Sequence, residues 1–162
     1  MRLLLDTHTL HRCRPHPRRT KARLTTVVLD ASVLLAIILP DERSDEGGAL
    51  VEAAAAGELT VVVPPMASAE VCNGVAVALA RRRLTRTEAM DALGLFDDLS
   101  IDVVAPRLSL SELLELALAE TISVYDATYL ALAMQQRGRL STLDAALGRA
   151  ARRRGVLYAT GS

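Results

Sequence analysis

From Thr25 onward the chain alternates short β-rich runs with longer Ala- and Leu-rich stretches whose apolar positions recur at helical spacing. The pattern predicts strands over 25–29, 60–63, 101–104, 139–141 and 156–158. Between them it predicts helices over 31–38, 44–56, 67–82, 86–99, 110–120, 124–137 and 145–153. Strands that alternate with helices form a parallel sheet, because each crossover lays its helix on a face of the sheet. The expected architecture is therefore α/β in three layers, a central parallel β-sheet flanked by helices. Thr85…Glu88 and Ser109…Glu112 have the spacing of capping boxes and mark two helix starts, while Pro64-Pro65 closes a strand.

The first 24 residues break this pattern. Arg14-Pro15-His16-Pro17-Arg18-Arg19 cannot sustain a helix or a central strand, so residues 1–24 read as a disordered basic tail ahead of one folded domain over 25–162. With 162 residues, 51% of them hydrophobic and 23% charged, there is enough chain for one compact core. The zero formal net charge is uneven: the tail carries seven basic residues against Asp6 alone, a net +6, which leaves −6 for the rest. The apolar run over 31–40 falls short of the ~20 residues that cross a bilayer, and Asp30 interrupts the stretch that would otherwise imitate a signal peptide. Cys13 and Cys72 make no disulfide framework. A soluble, cytoplasmic protein is expected.

The acids are placed informatively. Asp30 directly follows the first strand, Glu70 lies just after the second on the next helix, and Asp144 follows the fourth in Leu140-Ser141-Thr142-Leu143-Asp144. Asp126 sits at the start of the preceding helix. Ligands of open parallel sheets bind outside the carboxyl ends of the strands, so these four are expected to share one crevice. Like charges that close repel and take up protons unless a cation sits among them, and an all-oxygen donor set selects Mg²⁺ or Mn²⁺. Simpler roles compete: Ser123…Asp126 and Ser141…Asp144 also have capping-box spacing, and Glu70 lies among small residues that suit a solvent-facing turn. Asp30, leaving an apolar strand, most needs a partner or an ion.

At these residues the chain resembles PIN-domain nucleases, and more narrowly the VapC ribonuclease toxins of bacterial toxin–antitoxin pairs. The resemblance rests on Val27-Val28-Leu29-Asp30-Ala31-Ser32-Val33-Leu34, Ser68-Ala69-Glu70-Val71, Val124-Tyr125-Asp126-Ala127-Thr128-Tyr129-Leu130-Ala131-Leu132-Ala133 and Leu140-Ser141-Thr142-Leu143-Asp144-Ala145-Ala146-Leu147. It spans about residues 25–158 and implies a PIN-like, Rossmann-like fold. It implies that Asp30, Glu70, Asp126 and Asp144 form a catalytic quartet holding Mg²⁺ or Mn²⁺, with Ser32 and Thr142 orienting a carboxylate or a water; helix capping is the other role open to those two hydroxyls. It further implies hydrolysis of RNA phosphodiester bonds, often in tRNA or rRNA, a VapB-type antitoxin as cognate partner, a homodimer, and contact with DNA only through the antitoxin. Leu3-Leu4-Leu5-Asp6-Thr7-His8 imitates the first motif, but Pro15 and Pro17 follow too soon for the helices that come after Asp30.

RNA approaching an acidic site needs flanking positive charge, and Arg82, Arg83, Arg152 and Arg153 are the candidates; favourable contact with helix C-termini explains the same residues. His8, His11 and His16 all lie in the tail around Cys13, a spacing that suits a soft metal only with a packed surround. The body holds no histidine, which excludes a His base or a Ser-His-Asp triad there. A dehalogenase-type phosphatase needs an Asp where Ser32 stands, and a receiver domain needs a lysine near its last strand, whereas Lys21 is the sole lysine. Glycine-rich phosphate turns are absent. The alternative from another class is a catalytically weak PIN-like protein-binding module.

Overall fold

The apolar run Thr25–Leu29 forms β1, an inner strand buried at its last three residues and paired in parallel with Leu59–Val63 (β2) on one side and Arg139–Ser141 (β4) on the other. Ile101–Val103 (β3) pairs in parallel with β2, so the four-stranded sheet has the order β3-β2-β1-β4. The helices are α1 (Ala31–Ile38), α2 (Asp45–Ala55), α3 (Ala67–Ala80), α4 (Arg86–Asp97), α5 (Leu110–Glu120), α6 (Val124–Gln136) and α7 (Ala145–Arg153). The computed structural model describes residues 24–42 and 45–158; the expectations for the tail, and for Ser44 as a helix start, lie outside them. The helices form two sets, α1–α4 packing among themselves and α5–α7 among themselves, which gives the three-layer α/β arrangement expected.

All the predicted helices are present, several a residue or two shorter than the pattern suggested. Where they end, the backbone turns left-handed at Arg82 (φ 58°) and Arg137 (φ 50°), and a reversed φ cannot continue a right-handed helix. The predicted strand over 156–158 is reduced to a single bridge between Leu157 and Leu140. Its bonds are Leu140 N–H to Val156 O at 2.7 Å and Tyr158 N–H to Leu140 O at 2.8 Å. β4 is itself only three residues long, so it offers little backbone for a further ladder.

Both predicted capping boxes form. In α4, Glu88 N–H donates to Thr85 Oγ1 at 3.2 Å while Thr85 N–H donates to Glu88 Oε2 at 2.7 Å. The Ser109–Glu112 pair does the same for α5, and each cap contributes about 1 kcal/mol. α6 is the central helix: residues 127–133 are all buried, the signature of a helix covered on every side. It packs on β1, β4, α5 and α7. Glu120, at the end of α5, is buried against α7, accepting from Arg153 Nε at 2.9 Å and Arg154 Nε at 2.6 Å. Burial alone would push its carboxyl up, but the hydrogen bonds and charges of Arg154 and Arg153 hold it below the usual range.

Gly138, between α6 and β4, lies against β1 so closely that a Cβ there would fall 2.6 Å from the Thr26 carbonyl oxygen. At Gly74 in α3 the added atom would instead meet the tip of Leu35, which can rotate aside. Gly138→Ala is accordingly expected to lower stability by about 1–3 kcal/mol, the cost of overpacking against backbone. Gly74→Ala should cost clearly less, since the gain in helix propensity offsets part of the crowding. Urea denaturation of the two variants checks the contrast.

Candidate active site

The strand order reverses between β1 and β4: the chain moves outward from β1 through β2 to β3, then returns through α5 and α6 to the other side of β1. Loops leaving the two strands at such a switch point diverge and open a crevice at their carboxyl ends. Asp30 leaves β1 there, and Thr142 and Asp144 leave β4. Glu70 stands in the first turn of α3, which follows β2, and Asp126 in the first turn of α6.

Asp30 is 5% exposed and caps α1. Its Oδ1 accepts from Ser32 Oγ at 2.6 Å and from Val33 N–H at 3.1 Å, and its Oδ2 accepts from Thr142 Oγ1 at 2.5 Å. Both hydroxyls face two ways: Ser32 Oγ accepts from Leu143 N–H at 3.0 Å, and Thr142 Oγ1 accepts from Asp144 N–H at 2.9 Å. Ser32 and Thr142 therefore stitch the β4–α7 connection onto Asp30 and the first turn of α1, and the Thr142 hydroxyl bonds both the Asp30 carboxylate and the Asp144 backbone N–H.

The other three acids are each held by a neighbour. Asp144 caps α7, its Oδ1 accepting from Leu147 N–H at 2.8 Å. Asp126 closes a capping box with Ser123, its Oδ2 accepting from Ser123 Oγ at 2.7 Å. Both capping roles read from the spacing are thus real, although Asp144 acts as the cap itself and not as the third residue of a box begun at Ser141. Glu70 Oε2 accepts a 2.5 Å bond from the hydroxyl of Tyr129, on α6 one turn beyond Asp126. Residues three apart share a helix face, so Asp126 and Tyr129 stand one above the other.

None of these four acids makes an ion pair among the described residues, while Asp41, Glu42 and Glu120 all pair with arginines. Burial raises the Asp30 carboxyl above its ordinary value, and the bonds from Ser32, Thr142, Val33 and the Ser32 backbone only partly counter this. Burial, then the bond to Glu70 and the charges of Glu70 and Asp30, push the Tyr129 phenol far up, so it stays a protonated donor. As the side chains stand, no three His, Cys, Asp or Glu groups among the described residues are close enough to hold a metal ion. The donor chemistry nonetheless fits a hard divalent cation: the available groups are carboxylate oxygens, Asp30 is buried among neutral donors, and no basic side chain among the described residues balances the charge. A separate cavity of about 90 Å³, lined by Leu29, Ile37, Leu50, Val61 and Leu99 among others, contains none of the four acids.

The candidate arginines divide. Arg83 bonds Asp41 at 2.8 Å and also pairs with Glu42, and Arg153 bonds Glu120. Arg82 and Arg152 make no ion pair among the described residues. Tyr129 is the site residue to which sequence reasoning assigned no role; its place three residues after Asp126 was the available signal, since that spacing puts both side chains on one face.

A family model described as PIN domain matches residues 27–153. Ribonuclease VapC3 of Pyrobaculum aerophilum is 34% identical over 122 residues, 73% of this chain and 88% of that protein. The crystal structure of PAE2754 from Pyrobaculum aerophilum superposes with a TM-score of 0.59 at 18% identity, over 79% of this chain and 81% of that one. That of FitAcB from Neisseria gonorrhoeae gives 0.52 at 19%, over 78% and 93%. These structural likenesses show the fold, an open parallel sheet between helices. The chain belongs to the PIN-domain family, in its VapC branch. Of its described helices, none is long and apolar enough to cross a membrane.

A buried carboxylate with only neutral donors weakens the fold when ionised. Because the folded-state value of Asp30 is raised, this weakening is full above that value and disappears as pH falls below the ordinary carboxylate range. Asp30→Asn is expected to be more stable than the parent at pH 7 in chelator, with the advantage shrinking on acidification. Thermal melts across that range check the sign.

Proposed function

We propose that this protein is a Mg²⁺- or Mn²⁺-dependent endoribonuclease, the toxin of a VapBC-type toxin–antitoxin pair, hydrolysing phosphodiester bonds in tRNA or rRNA. The observation that carries the reading is the charge left uncompensated by the described residues at the switch point: Asp30 is buried without a cationic partner among them, and Glu70, Asp126 and Asp144 on the elements around it make no ion pair with them. Membership of the VapC branch and the name of the 34% identical relative support ribonuclease chemistry.

Asp30, Glu70, Asp126 and Asp144 would hold the ion, drawing closer together than they stand, with Asp126 and Glu70 each keeping one oxygen on Ser123 and Tyr129. When bound, the divalent ion supplies charge neutralisation and polarisation of the scissile phosphate. The remaining work belongs to the chain. Ser32 and Thr142 keep both oxygens of Asp30 oriented, since each donates to one of them. Asp126 has Oδ2 fixed by Ser123, and its Oδ1 is the candidate acceptor for the proton of the attacking water, a role that falls to a carboxylate because the body has no histidine. Arg82 and Arg152 are the candidates for RNA phosphates.

Cleavage of RNA by the purified protein is expected with Mn²⁺ and lost in EDTA. Asp30→Asn and Asp126→Asn should each lower the rate at least about 100-fold, the scale of losing a positioned ligand or proton acceptor, with unchanged circular dichroism. Absence of both RNA cleavage and Mn²⁺ binding in a folded protein would transfer support to the protein-binding module.

The partners proposed are a VapB-type antitoxin and a second copy of the chain, with cytoplasmic action. For the second copy, α5 offers Leu110, Leu114 and Leu118 on one face, 86%, 49% and 65% exposed. Leu118→Glu is expected to convert the dimer to a monomer in light scattering. A parent that is already monomeric removes this part of the proposal.

A further inference from the structure

The bond between Tyr129 and Glu70 joins the two helix sets across the end of β1, from α6 to α3. It links residues 59 apart in sequence, and neither element needs it as a cap: α3 begins without a side-chain cap, and α6 is capped by Ser123. The ring of Tyr129 is 2% exposed, so its hydroxyl reaches the crevice from a body fixed by packing. Glu70 contributes Oε2 to this bond, and its Oε1 accepts no hydrogen bond from the described residues. A carboxylate fixed through one oxygen offers the other in a defined direction, which is how groups behind metal ligands orient them.

We propose that Tyr129 is a positioning residue for Glu70: its hydroxyl holds Oε2 so that Oε1 is presented toward Asp30 as a one-oxygen ligand for the divalent ion. This rests on the metal-dependent reading above. Unlike Asp30, whose orienting hydroxyls come from the first turn of α1 and the β4–α7 connection, Glu70 has its orienting group on the helix that carries Asp126. Tyr129 thereby sets the spacing of Glu70 from both acids.

Tyr129→Phe keeps the ring and removes the hydroxyl, which donates to Glu70 and accepts from the Ala31 backbone N–H. Titration calorimetry should show Mn²⁺ affinity reduced about 10–100-fold, the usual effect of losing a group behind a ligand. The metal-free protein should remain folded, its melting temperature lowered by a few degrees. In a Glu70→Gln background, the same Tyr129→Phe change should leave Mn²⁺ affinity unaltered, because Tyr129 acts through Glu70. Unchanged affinity in Tyr129→Phe, an equal loss in the Glu70→Gln background, or a Tyr129→Phe protein that does not fold would each overturn the proposal. A folded parent that binds no Mn²⁺ would instead remove the metal-dependent reading itself, and this proposal with it.

Discussion

A single buried carboxylate, that of Asp30, organises the functional end of the molecule. It follows the inner strand β1, caps α1, and accepts from the hydroxyls of Ser32 in the first turn of α1 and Thr142 in the β4–α7 connection. Because Ser32 and Thr142 each give their one hydroxyl proton to Asp30, their further bonds can only be accepted ones, and the backbone amides of Leu143 and Asp144 supply them. The β4–α7 connection is thereby placed relative to β1 without any charged partner. Neutral donors orient a carboxylate while leaving its charge in place, as a cation-binding site requires. An arginine at the same position would have made a stronger structural bond and occupied the place of the proposed ion.

The distribution of arginine follows the same logic. Glu120 is about as buried as Asp30, but it receives Arg153 and Arg154 from α7 and becomes a structural clamp, its carboxyl held below the ordinary range where that of Asp30 is raised. Arg83 gathers Asp41 and Glu42 and ties the α1–α2 connection to the turn after α3. Asp41, Glu42 and Glu120 are neutralised by arginines; among the described residues the acids at the switch point are not, nor are the capping acids Glu88 and Glu112. Stability is forgone where the chemistry is proposed to occur, a common balance at functional sites.

Much of this was legible beforehand. The alternation of β-rich and helical runs placed every helix and four strands, because a half-buried element must repeat its apolar positions at its own period. Thr85, Ser109 and Ser123 announced their helix starts, since a capping box is a contact between residues three apart and needs nothing from the rest of the fold. Asp30 stood out for a similar local reason: an acid directly behind three buried apolar residues is costly wherever the chain goes next.

The long-range contacts could be settled only by the fold. That Thr142 reaches Asp30 across 112 residues, that Tyr129 reaches Glu70, and that Arg153 and not Arg152 closes on Glu120 depend on strand order and on how helices rotate as they pack. The sequence by itself determined the elements, their caps and the acids at their ends, all properties of neighbouring residues. The tertiary structure decided which acids are left without a counter-charge, because a charge is balanced by whatever lies near it in space, and nearness along the chain does not predict that.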